Sequence, residues 1–272
     1  MTKFSTVLLC PPTFYQIEYE INPWMDVHKK ADRQKTKDEY HELKKIYQKL
    51  GLRVLEIKPQ PGLPDMTYVA NFGFVMGNTF IKSNFKYPQR RKEAEYAQKY
   101  FKDTGFQIVS LPDDVNFECR GDIFYAEGKY YCGWGKRTDK SAINHLARIL
   151  DAPVIPLQTI NPYYYHLDTC FAPLGEGRVV VNPSSFTDDD LCIINKHFDT
   201  VIEASTQDNE ILCCNLVVVG NTIVVGKGIS NELNATFKKH GFETVEVPMK
   251  EFRKGGGSVK CLTLEFLSYN SH

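Results

Sequence analysis

Leu216-Val217-Val218-Val219-Gly220-Asn221-Thr222-Ile223-Val224-Val225 reads as two short β-branched runs joined by a Gly-Asn turn, the pattern of a β-hairpin. A polar helix over 230–240 and a strand over 242–248, ending in proline, follow it. The same order recurs upstream. Residues 71–82 turn at Gly77-Asn78, then lead to a charged helix over 89–101 and a strand over 106–112. Residues 122–133 turn at Glu127-Gly128 and precede a helix over 139–150 and a strand over 154–157. Residues 168–182 turn at Gly175-Glu176-Gly177, followed by a helix over 188–197 and a strand over 200–204. The turns at 77, 128, 176 and 220 lie 51, 48 and 44 residues apart, which is a repeat.

A degenerate first copy begins at Thr6, continues through a polar helix over 32–50, and ends in Arg53-Val54-Leu55-Glu56-Ile57. It lacks the first hairpin strand, and the segment 259–266 at the other end of the chain is expected to supply it. Five such β-β-α-β units cannot each bury an apolar face alone, so the pattern predicts a closed, propeller-like α/β ring. An open α/β sheet would also alternate strands and helices. The ring makes residues 1–272 one domain.

Composition narrows the partners. The 33 basic and 33 acidic residues cancel, and no block of like charge suggests a nucleic-acid arm or a membrane patch. That points to a small molecule. No apolar run reaches membrane length, and the eight cysteines show neither a C-x-x-C pair nor zinc spacing, so they read as free thiols in the cytoplasm. A homo-oligomer is compatible with this composition. No phosphate loop or dinucleotide fingerprint occurs, and neither cofactor nor metal is expected.

In Gly255-Gly256-Gly257-Ser258-Val259-Lys260-Cys261-Leu262-Thr263-Leu264-Glu265-Phe266, three glycines precede an alternating stretch that reads as a strand. Cys261 would then stand where loop meets strand, on the face opposite Leu262, Leu264 and Phe266. Equivalent places just before the other hairpins hold Asn71, the segment 118–122, His166 with Asp168, and Asn215. Ring closure would gather a thiol, an imidazole, carboxylates and amides at one end of the axis. The other six histidines fall in helices, at helix ends, in an N-terminal loop or at the last residue.

These residues carry a family resemblance. Gly-Gly-Gly-Ser-Val-Lys-Cys-Leu-Thr at 255–263, His-Leu-Asp-Thr at 166–169, Phe-Glu-Cys-Arg-Gly-Asp at 117–122 and Ile-Asn-Pro-Trp-Met at 21–25 resemble the guanidino-group-modifying superfamily. That superfamily includes arginine deiminases, dimethylargininases and amidinotransferases. The resemblance implies a pentein fold, a five-bladed α/β propeller. Asn-Pro-Trp-Met together with Tyr68-Val69-Ala70-Asn71 is most similar to the arginine dihydrolase branch.

On that resemblance Cys261 is the nucleophile, His166 the acid and base, and Glu118 the catalytic carboxylate. The segment Glu118-Cys119-Arg120-Gly121-Asp122 is one residue longer than the family's Glu-Gly-Gly-Asp, which leaves Glu118 and Asp122 both open as the partner of His166. Asp168 and Glu118 would grip the guanidinium, Arg90 (or Arg91) and Arg137 the α-carboxylate, and Asp65 the amino group. Asn22 would belong to a loop over the site, with Trp24 and Met25 as packing. Where deiminases and dimethylargininases place an aspartate, this chain has Asn71, a neutral amide able to hold a ureido group for a second attack. The expected reaction is arginine to ornithine, ammonia and carbon dioxide through a cysteine thiouronium. Dimethylarginine dimethylaminohydrolase and then arginine deiminase are the alternatives, and a non-catalytic five-bladed binding protein is the reading from another class.

Overall fold

The structure, a computed structural model, describes residues 4–267. All four expected hairpins form, and each gains a third strand that returns through a helix. Gly73–Met76 and Thr79–Lys82 pair antiparallel, the helix Pro88–Asp103 crosses, and Gln107–Ser110 lies parallel to the second hairpin strand. Ile123–Ala126, Lys129–Trp134, Ala142–Leu150 and Val154–Gln158 repeat the arrangement. So do Phe171–Gly175, Arg178–Val181, Asp188–His197 and Thr200–Glu203, and then Val217–Val219, Thr222–Gly226, Asn231–Lys239 and Glu243–Val247.

The fifth unit is shared between the two ends of the described chain. Leu264–Leu267 pairs antiparallel with Phe4–Leu9, with Val7 opposite Glu265, and Arg53–Glu56 lies parallel to Phe4–Leu9 after the helix Arg33–Lys49. The ring closes there, as a five-bladed α/β propeller. Local chemistry explains the helices. Asp32 accepts bonds from the amides of Gln34 and Lys35, and Thr187 and Ser230 cap two later helices in the same way. Tyr40, Leu43 and Tyr47, at helical spacing, turn one face of Arg33–Lys49 inward. The turn at Glu127-Gly128 needs positive φ at both residues, 48° and 73°, which glycine supplies at no steric cost at the second.

Among the described residues the buried apolar side chains form five clusters, and each lies between two neighbouring units. One joins Phe74 and Ile81 to Ile123 and Cys132, and another joins Val7 and Leu43 to Val217 and Val224. The end of the axis where Asn71, Glu118, His166, Asp168 and Asn215 are buried is left to polar groups. Among these residues no helix is long and apolar enough to cross a membrane.

Residues 259–262 form a turn rather than the start of a strand, which begins at Leu264. The cause is long-range: Asn215 Oδ1 accepts from the amides of Ser258 and Cys261 at 2.9 and 3.0 Å and curls the backbone. Leu262 and Leu264 consequently pack in different clusters instead of along one strand face.

Gly73 tests the packing inside a blade. A Cβ there would lie 2.0 Å from Phe80 Cε2 and 2.8 Å from the Ile81 carbonyl oxygen. Gly73→Ala is expected to lose roughly 1–3 kcal/mol, read from the urea midpoint. An unchanged midpoint would mean that the Phe80 ring yields freely.

Candidate active site

In every unit a short turn precedes the first hairpin strand, and these turns meet around the axis. Val69–Phe72 carries Asn71, Cys119–Gly121 follows Glu118, and Leu167–Thr169 follows His166 and carries Asp168. The turn at 211–214 leads to Asn215, and that at 259–262 holds Cys261. Because a turn is tighter than a strand, each can aim a side chain along the axis while its strand runs outward into the blade.

Cys261 is held by two neighbours. Its thiol donates to Asp168 Oδ2 at 3.4 Å and accepts from Asn215 Nδ2 at 3.1 Å. Asn215 Nδ2 also donates to the Asp168 carbonyl at 3.1 Å, so one side chain fixes both the nucleophile's backbone and its sulfur. Burial, then the Asp168 carboxylate, pushes the Cys261 thiol well above the usual range. At rest it is therefore protonated. Asp168 is fully buried, and among the described residues its Oδ1 has no hydrogen-bond partner.

The partner of His166 is now plain. Glu118 Oε2 lies 2.8 Å from His166 Nε2 and accepts from Arg137 Nη1 at 2.9 Å. Asp122 instead accepts from Thr138 Oγ1 at 2.6 Å and from the Leu167 amide at 2.9 Å. Burial alone would raise the Glu118 carboxyl, but Arg137 and the His166 bond outweigh it and hold Glu118 far below the carboxylate range. At Asp122, which has no arginine on it, burial outweighs the pull of His166 and the bonds from Thr138 and Leu167 and pushes the carboxyl up to about 6. The Arg137 guanidinium lies between the rings of Tyr87 and Tyr165, 4.7 and 4.5 Å from their centroids, and donates to the Ile21 carbonyl at 3.0 Å.

Arg90 grips Glu93 at 2.8–3.1 Å and donates to Asn71 Oδ1 at 3.0 Å. Asn71 Nδ2 reaches the Glu118 carbonyl at 3.4 Å, and Ser83 Oγ binds the Asn71 carbonyl. Asp65 accepts from the Tyr19 hydroxyl at 3.0 Å, while among the described residues its other oxygen has no hydrogen-bond partner. Asn22 Nδ2 spans from the 21–25 loop to the Tyr165 hydroxyl at 3.2 Å and the Gly255 carbonyl at 3.0 Å. Trp24 packs against Tyr163 and Tyr164, and Met25 is buried in the core.

These groups enclose a cavity of about 10 Å³ lined by Asn22, Asp65, Asn71, Arg90, Arg137 and Cys261, room for about one water. All nine candidate site residues thus fall at one end of the axis. Tyr68, expected only as part of a motif, and Tyr165, not expected at the site, form the wall behind the glycines. A Cβ on Gly255 would stand 2.2 Å from the Tyr68 hydroxyl, one on Gly256 2.7 Å from the Tyr165 hydroxyl, and one on Gly257 2.6 Å from Tyr68 Cε1. The available signal was the position of each tyrosine beside a marked residue, Tyr165 before His166 and Tyr68 before Val69-Ala70-Asn71.

A ring of five ββαβ units that gathers a cysteine, a histidine, carboxylates and amides at one end of its axis defines the guanidino-group-modifying class of α/β propellers. The chain belongs to the N,N dimethylarginine dimethylhydrolase family, eukaryotic type, which it matches over residues 16–268. It is 34% identical over 97% of its length to the bifunctional arginine dihydrolase/ornithine cyclodeaminase AgrE of Nostoc sp., and spans 38% of that protein. It is also 34% identical to the N(G),N(G)-dimethylarginine dimethylaminohydrolase of Mycobacterium tuberculosis, across 94% of this chain and 84% of that one. The N-terminal domain of ArgZ, an arginine dihydrolase of cyanobacteria solved as a mutant with substrate bound, superposes with a TM-score of 0.93 at 32% identity, covering 97% of this chain and 98% of that one.

Glu118 gives a test of the site's electrostatics. Its depressed pKa means that its stabilising contribution is complete above the unfolded carboxylate value of about 4.3 and is lost as pH falls toward the lower folded value. Glu118→Gln, which leaves Arg137 without its carboxylate, is expected to cost roughly 3–5 kcal/mol at pH 7. The deficit should shrink toward acid pH in denaturant titrations. A deficit that stays constant down to pH 3 would contradict the pairing.

Proposed function

We propose that residues 4–267 act as one catalytic unit that hydrolyses the guanidinium group of arginine. The observation that carries this reading is the pairing of the Cys261 thiol with Asp168 and Asn215 at the same end of the axis as the Glu118–His166 pair. An arriving guanidinium places a cation beside a thiol that burial keeps protonated, and so favours the thiolate. Asp168 and Glu118 hold the planar fork, Asp65 takes the amino group, and Arg90 and Arg137 supply positive charge for the α-carboxylate. Cys261 attacks the guanidinium carbon and His166 gives a proton to departing ammonia. His166 then takes a proton from the water that cleaves the thiouronium.

Asn71 carries the reaction past citrulline. Its amide offers both a donor and an acceptor, which suits a neutral ureido group better than an aspartate would. A second attack by Cys261 on that carbon releases the second ammonia, and water frees carbon dioxide and ornithine. The names of AgrE and ArgZ support this outcome. No cofactor enters these steps, and free cysteines suit a reducing cytoplasm.

Dimethylarginine hydrolysis to citrulline and dimethylamine is the second reading, favoured by the mycobacterial relative, whose identity to this chain equals that of AgrE. Incubation with each substrate separates the two. Arginine should give ornithine with two molecules of ammonia, and dimethylarginine little turnover; citrulline and dimethylamine as the main products would reverse the assignment. Cys261→Ser is expected to abolish turnover while retaining arginine binding by calorimetry. In Asn71→Asp citrulline should accumulate, and continued ornithine formation would remove Asn71 from the second step.

A further inference from the structure

The axis holds a second cavity, of about 410 Å³, against about 10 Å³ beside Cys261. Glu127, Gly128 and Gly175 of the hairpin turns line it, which puts it at the opposite end of the first hairpin strands from the catalytic turns. Its floor is charged. Lys260 and Glu265 stand five residues apart and Arg120 comes from a distant part of the chain, and each is more than nine-tenths buried.

Two cations on this floor share one carboxylate. Lys260 Nζ pairs with both oxygens of Glu265, and Arg120 Nε donates to the same group at 3.2 Å. Arg120 Nη1 donates to the Ile123 carbonyl at 2.7 Å, while Nη2 has no hydrogen-bond partner among the described residues. Asp168 attracts both cations from the catalytic side but hydrogen-bonds neither: its Oδ2 accepts from the Cys261 thiol and its Oδ1 has no partner among the described residues. Burial and then the neighbouring Arg120 push the Lys260 ammonium down, as expected where positive charges are crowded. Within hydrogen-bonding reach on this floor, two cations thus meet the single carboxylate of Glu265.

The walls narrow the choice of anion. Phe124, Leu174, Leu216 and Val218 add apolar patches to a lining that is otherwise polar, and the exposed Glu127 opposes a second negative charge on the guest. A guanidinium edge beside an ammonium suits a carboxylate, and the volume lies within the range of small-molecule sites. We propose that this cavity binds a small organic monocarboxylate with an apolar tail, its head on Arg120 and Lys260. Nothing in the proposal depends on the chemistry assigned to Cys261.

Calorimetric titration of the full chain with hexanoate, hexan-1-ol and glutarate tests it. Hexanoate is expected to bind saturably, one per chain, with the alcohol and the dianion weaker by roughly tenfold or more. Arg120→Met should weaken hexanoate by a similar factor. Val218→Trp, which fills the wall and leaves the charges intact, should abolish binding with the melting temperature retained, and it carries the test if Arg120→Met does not fold. No saturable heat with hexanoate up to about 10 mM, equal affinity for hexanoate and hexan-1-ol, or unchanged hexanoate affinity in both variants would each overturn the proposal.

Discussion

Every apolar cluster among the described residues lies between two units, and that constraint governs the rest. A blade of three short strands and one helix has no interior of its own, so it buries its faces only when a neighbour stands on each side. The last neighbour exists because Leu264–Leu267 completes the sheet begun by Phe4–Leu9. Closure also brings the turn carrying Cys261 beside those carrying Asn71 and Asp168. Stability and the assembly of the site are thus one event.

With the apolar material between blades, the axis fills with charge. Glu118, Arg137, Asp168, Arg90 and Glu93 are all buried there, an arrangement that is costly unless each charge meets a partner. Most do, through ion pairs that also orient the site: Arg90 fixes Asn71, and Glu118 joins His166 to Arg137. Asn215 does the equivalent with a neutral amide. Its oxygen accepts two amides of the 258–261 turn and its nitrogen donates to the Cys261 sulfur and the Asp168 carbonyl, which leaves no hydrogen-bonding capacity unused.

Much of this was legible in the chain because it is local. Turn pairs such as Glu127-Gly128 stand between β-branched or aromatic runs, and the capping residues Asp32, Thr187 and Ser230 stand one position before their helices. The repeat then placed Cys261, His166, Glu118 and Asn71 at matching positions. What escaped depends on residues far apart in sequence. Val259 to Phe266 alternates as a strand would, and only the amide of Asn215, more than forty residues upstream, bends its first half into a turn. The choice between Glu118 and Asp122 was undecidable from a segment one residue too long, since it turned on where Arg137 and Thr138 would lie. The Arg120–Glu265–Lys260 group was invisible for the same reason.

The three consecutive glycines have a consequence for how such a pocket can change. Each Cα faces a phenol or an amide so closely that even one methyl group would collide. Mutation therefore has no foothold on that side of the thiol. Any remodelling has to enter from the aromatic side: trimming the ring at Tyr68 or Tyr165 opens space beside Cys261 and gives up the hydroxyl bonds to the Phe252 and Gly256 carbonyls. The glycines make the loop a fixed mould, and the tyrosines are the part through which descendants of this fold can admit bulkier guests.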